Sequence, residues 1–175
     1  MYFENFPLIE FATKKDGDPK IVTNLLRRVS LRSAIKQNIL MFDTYDVKEG
    51  ESPEIIAHKL YGDVELHWVV CMANDIVNRY HDWPLNRNQF LAYIKDKYDN
   101  PNDTHHYEIS QTSGDTTLKI DVGISNEDYP TATAVTNMEY EEADQDKKRQ
   151  IRLLDPSFIP RVVEEFQELM KESEI

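Results

Sequence analysis

The stretch that decides the fold runs from Tyr45 to Ile76, YDVKEGESPEIIAHKLYGDVELHWVVCMANDI. Tyr45 and Val47 alternate with Asp46 and Lys48, which predicts a short half-buried strand that Gly50 ends. Ser52, Pro53 and Glu54 then form a helix start: a hydroxyl to cap free amides, a proline suited to the first turn and a carboxylate at the positive end of the dipole. The helix carries Ile55, Ile56, Lys59 and Leu60, and Gly62 supplies a left-handed stop. Asp63 caps a second helix with Leu66, Val69, Val70 and Ala73 on one face. Asn74 and Asp75 turn the chain, and Ile76 and Val77 are expected to begin a second strand. Ile56, Leu60, Val69 and Val70 are the expected core of this βααβ kernel.

Outward from the kernel, the N-terminal MYFENFPLIEF is apolar and aromatic with Pro7 in its midst, so it must lie against its own core or a partner. Thr23 is expected to cap a helix running through Leu25, Leu26 and Val29 toward Leu31, Ile35 and Ile39, with Arg27, Arg28 and Arg32 off its apolar stripe. Beyond the aromatic loop NRYHDWPLN, which holds Trp83, a helix is predicted from Arg87 to Tyr98 because Phe90, Leu91, Ile94 and Tyr98 share a face. Residues 104–110 and 116–123 are expected to form a hairpin, with the turn at Ser113 and Gly114. No firm element is readable from there to Asn137. Met138 to Arg149 suits a charged helix, and Ile151, Leu153 and Leu154 suit a strand. Phe158, Ile159, Val162, Val163, Phe166, Leu169 and Met170 line one face of a terminal amphipathic helix, opposed by Glu164, Glu165 and Glu168. The class is therefore α+β, read as three stretches: an N-terminal arm and helix over 1–42, the kernel with its following helix over 43–99, and a C-terminal hairpin and helix region over 100–175.

Composition excludes several functions. A net charge of -12 argues against a general nucleic-acid binder, whose affinity comes from neutralising phosphates. The apolar run from Trp68 to Ala73 is far too short to span a bilayer, and no export leader is readable at the N-terminus. Cys71 alone rules out an internal disulfide framework and, lying inside a helix, reads as an inert thiol. No nucleophile with a base, no metal-ligand spacing and no phosphate loop is present; His105 and His106, adjacent on a strand, would point in different directions. No cofactor and no enzymatic activity are therefore expected. Charge is uneven: Lys20 to Lys36 holds five basic residues and no acid, whereas Glu139 to Asp146 holds five acids. Opposite ends of this kind can dock neighbours of opposite sign or simply face solvent.

The kernel resembles a LysM module, through Tyr45 and Val47, Gly50 to Ser52, Ile56 and Ala57, and Asn74 with Ile76. LysM modules usually bind N-acetylglucosamine polymers through two loops, here Gly50, Glu51, Ser52 and Pro53, and Asn74, Asp75, Ile76 and Val77. A wider set of residues, the N-terminal FENFP, LHWVV, NDI, DWPL, HHYE, KKRQIRLL and FIPRVVEEF, is similar to the baseplate wedge proteins of T-even-type contractile-tailed phages, a family built around a LysM-like domain. That resemblance implies a non-enzymatic virion component, assembled in the host cytoplasm into the tail baseplate. It would join a wedge and help wedges close into a ring around the hub. Its partners would be other wedge subunits and adjoining tail proteins in a hetero-oligomer, with no nucleic acid and no membrane. The expected contact residues are Arg27, Arg28, Arg32, the two loops, Trp83, Phe158 and Phe166. The alternative is a peptidoglycan-binding LysM module.

Overall fold

The structure is a computed structural model, and it describes residues 2–12, 18–27, 29–31, 33–112 and 117–171. The chain is mixed α+β and divides into two compact units, the second interrupting the first. Unit 1 comprises residues 1–47, 51–82 and 151–175; unit 2 comprises 48–50 and 83–150.

Unit 1 begins with a 3-10 turn at Tyr2–Asn5 and an antiparallel hairpin, β1 (Leu8–Phe11) with β2 (Lys20–Thr23), in which Leu8 faces Thr23 and Phe11 faces Lys20. The helix expected from Thr23 is absent. Thr23 is a strand residue, and the β-branched run Ile21, Val22, Thr23 packs better on a pleated surface than on a helix. The first described helix is the single turn α1 (Ser33–Lys36). Then come β3 (Phe42–Asp46), α2 (Pro53–Tyr61), α3 (His67–Ala73) and α4 (Arg79–Asp82). Helix α2 is punctuated as expected: Ser52 accepts from the Ile55 amide, Pro53 occupies the first turn, and Gly62 closes it at φ 73°.

The expected second strand at Ile76 and Val77 does not form. Asp75 is left-handed at φ 55°, the Ile76 amide turns back to the Cys71 carbonyl at 2.9 Å, and the Asp82 carboxylate takes the Val77 and Asn78 amides at 3.0 and 2.8 Å. No amide is left there for a ladder. The strand paired with β3 is instead β7 (Gln150–Leu154), more than seventy residues further on. Helix α7 (Ile159–Lys171) follows and presents Ile159, Val162, Phe166 and Met170 to the core, with Phe6, Leu31, Met41, Trp68, Val69, Ala73 and Leu154. Ile56, Val69 and Val70 are buried as expected, but Leu60 is 37% exposed and is not a core residue.

Unit 2 holds α5 (Arg87–Lys97), a three-stranded antiparallel sheet in the order β5 (Lys119–Gly123), β4 (Thr104–Ser110), β6 (Thr133–Thr136), and α6 (Asn137–Arg149). The expected hairpin is β4 with β5; its turn at Ser113 and Gly114 lies outside the described residues. Strand β6 fills the segment for which no element was expected. Both helices start on capping boxes, Asn86 with Gln89 and Thr136 with Glu139.

Candidate functional site

Around the two loops singled out from the sequence, the polar groups are engaged within the chain. The Glu51 carboxylate accepts from the Tyr45 hydroxyl at 2.8 Å and pairs with Lys59, while Ser52 is spent on its cap and Pro53 is buried. Gly50 adopts φ 76°, which suits only glycine well, and its surroundings are open. Asn74 behaves like one residue of a strand: its side chain accepts from the Arg152 amide at 2.7 Å and donates to the Arg152 carbonyl at 2.8 Å, and also to Val70 at 2.9 Å. It ties the end of α3 to β7. Asp75 pairs with Lys36.

The other expected contact residues divide between surface and interior. Arg27 is half-buried; Arg28 and Arg32 lie outside the described residues. Trp83, a residue of unit 2, is buried. Phe166 is 2% exposed, its ring 4.6 Å from that of Trp68 and 5.5 Å from that of Tyr2, and the half-buried Phe158 packs against the same core.

Much of the exposed apolar surface lies outside the expected contact residues, in the N-terminal arm that the sequence marked as needing cover and in the strand that pairs with it. All eight residues of the β1–β2 hairpin are exposed, so Ile9, Phe11 and Val22 on one face and Leu8 and Ile21 on the other all meet solvent. Leu26 and Leu40 project at 91% exposure each. The β-branched run from Ile21 to Thr23 was the available signal for the hairpin. Beside α3 lies a cleft of about 590 Å³, floored by Tyr2, Phe3, Trp68 and Met72 and bordered by Glu54, Glu65, Asp75 and Val77. Burial pushes the Cys71 thiol on its wall up to about 11, so it stays protonated.

Unit 2 contains a polar cluster on β4. The bulge between Thr104 and His106 undoes the strand alternation expected of the two histidines and brings their Nδ1 atoms within 3.0 Å. His105 stacks on Tyr140 at 3.9 Å, and His106 Nε2 bonds Glu108, which also pairs with Lys119. Burial raises the Glu108 carboxyl, but Lys119 and His106 outweigh it and hold it low. Among the described residues no group of three or more His, Cys, Asp or Glu side chains could hold a metal ion, and no helix is long and apolar enough to cross a membrane.

A profile of the base plate wedge protein 53 family matches residues 1–174. The chain belongs to that family. It is similar to the baseplate wedge protein gp53 of Enterobacteria phage T4, 24% identical over 193 residues that cover 99% of this chain and 97% of the relative. This wedge protein is thus a structural component of a phage tail baseplate rather than an enzyme, and it assembles with other baseplate components.

Proposed function

We propose that β3, α2, α3 and β7 form a LysM-like scaffold from which the N-terminal arm reaches other wedge subunits and adjoining tail proteins, joining neighbouring wedges in a hetero-oligomer. The observation that carries this reading is the two-sided exposure of the β1–β2 hairpin. A lone two-stranded ribbon is marginal in water, and one with apolar residues on both faces is stable only when covered. The basic residues Arg27, Arg28 and Arg32 add charge that an acidic neighbour matches. Scaffolding is favoured over glycan binding because Glu51, Ser52 and Asn74, the polar groups a sugar would need, are held by Tyr45, Lys59, the α2 amides and Arg152.

Co-expression with the other wedge proteins of the same phage, followed by sizing, tests this. Wild-type chain is expected to co-elute, and an Ile9→Asp, Phe11→Asp pair to remain folded but elute alone. Folded wild-type protein that never co-elutes would refute the proposal, as would enrichment with sedimented peptidoglycan in favour of the glycan reading.

A further inference from the structure

The cleft beside α3 is separate from the hairpin, and its lining has a chemistry of its own. Its floor is aromatic and aliphatic, with Tyr2, Phe3, Val29, Val64, Trp68, Met72, Ile76 and Val77 around it. The charged groups on its border are three carboxylates, Glu54, Glu65 and Asp75, and among the described lining residues there is no lysine or arginine. Arg79 holds Glu54 at 2.5 Å and Lys36 holds Asp75, both from outside the lining. Glu65 is exposed and has no cation partner among the described residues. An apolar floor with an unmatched carboxylate at its mouth selects an apolar side chain flanked by a cation: the floor gains from burial and the carboxylate from a charge-assisted hydrogen bond.

We infer that the cleft formed by Trp68, Met72, Val77 and Glu65 seats an apolar segment of another baseplate protein that carries an arginine or lysine next to its buried side chain. The inference rests on the assembly reading above and names the partner chemistry of a second contact surface.

Glu65 and Val77 are both exposed, so substitutions there leave the core intact. Glu65→Lys and Val77→Asp are each expected to weaken the complex with the co-expressed wedge proteins at least tenfold while the thermal melt stays at the wild-type midpoint. A photo-activatable phenylalanine analogue at Val77 is expected to cross-link, in the assembled complex, to a peptide with apolar residues beside an arginine or lysine. Wild-type affinity in both variants overturns the inference, as does a cross-link to an acidic or uncharged segment or to another copy of this chain. Saturable quenching of tryptophan fluorescence by an N-acetylglucosamine oligomer, lost in Val77→Asp, likewise overturns it. If the wild-type chain forms no complex at all, the assembly reading fails and this inference with it; a complex indifferent to the cleft removes this inference alone.

Discussion

The two units of this wedge protein are held by different forces. Among the described residues, eighteen of the twenty-two buried apolar side chains belong to unit 1, and unit 2 contributes only Trp83, Pro84, Phe90 and Ile94. The buried polar side chains show the reverse: His106, Glu141 and Gln145 are in unit 2, and Glu51 alone is in unit 1. Unit 2 therefore depends on pairing. Lys97 Nζ and the Tyr98 hydroxyl donate to Glu141 at 2.6 and 2.7 Å, and the Leu85 amide donates to Gln145 at 2.8 Å. Area burial is non-directional and insensitive to pH; a buried ion pair is neither. An apolar core tolerates acid that a polar one does not.

The most damaging single change is expected in unit 1. Phe166→Ala removes a ring packed on Trp68 and Tyr2 and should cost about 3–5 kcal/mol, read as a lower denaturant midpoint in tryptophan fluorescence. In unit 2, Lys97→Met leaves the Glu141 carboxylate with the Tyr98 hydroxyl but without its half-exposed cation and should cost about 2 kcal/mol. Hydrogen exchange separates the two: protection should fall in α5 and α6 for Lys97→Met and in α7 for Phe166→Ala. Equal loss everywhere in both variants would mean that the units unfold as one.

Acid sharpens the same contrast. Burial pushes the Glu141 carboxyl up, and its bonds from Lys97 and Tyr98 more than reverse this, leaving it below the ordinary value. A carboxyl depressed in the folded state contributes stability that is present above its unfolded pKa and lost as pH falls through the folded one. Unit 2 should therefore lose exchange protection in acid before unit 1, and Glu141→Gln should make that pH dependence shallower. Smaller effects are expected within unit 1. Asn74→Ala breaks the side-chain bridge to Arg152 and should cost about 1–2 kcal/mol in a thermal melt. Leu60→Ala, which a core placement would put at about 2–5 kcal/mol, should cost under about 1 kcal/mol because the side chain is substantially exposed.

Much of the local structure was legible from residue order. Ser52, Pro53 and Gly62 mark α2, Phe90 and Ile94 mark α5, and the stripe from Ile159 to Met170 marks α7, because caps and helical spacing act within a few residues. Of the contact surface, the apolar, aromatic arm was legible as something that needs cover. The segment from Thr23 onward was misread as helix because Leu25, Leu26 and Val29 mimic helical spacing, while Leu8 to Phe11, the partner of the strand that ends at Thr23, lies well upstream. The cleft was not legible at all, since Tyr2, Trp68 and Val77 come from three separate segments.

By itself the sequence determined the α+β class and the ends of α2, which follow from local patterns, and it carried the resemblance to the family. Only the tertiary structure decided that β3 pairs with β7 rather than with Ile76 and Val77, that a bulge turns His105 and His106 toward each other, and that Phe166 is interior while Leu26 is not. The physical reason is the same in each case. Strand pairing, bulges and burial are set by groups far apart in the chain, and a residue's own neighbours do not say which distant segment will satisfy its amides or cover its side chain.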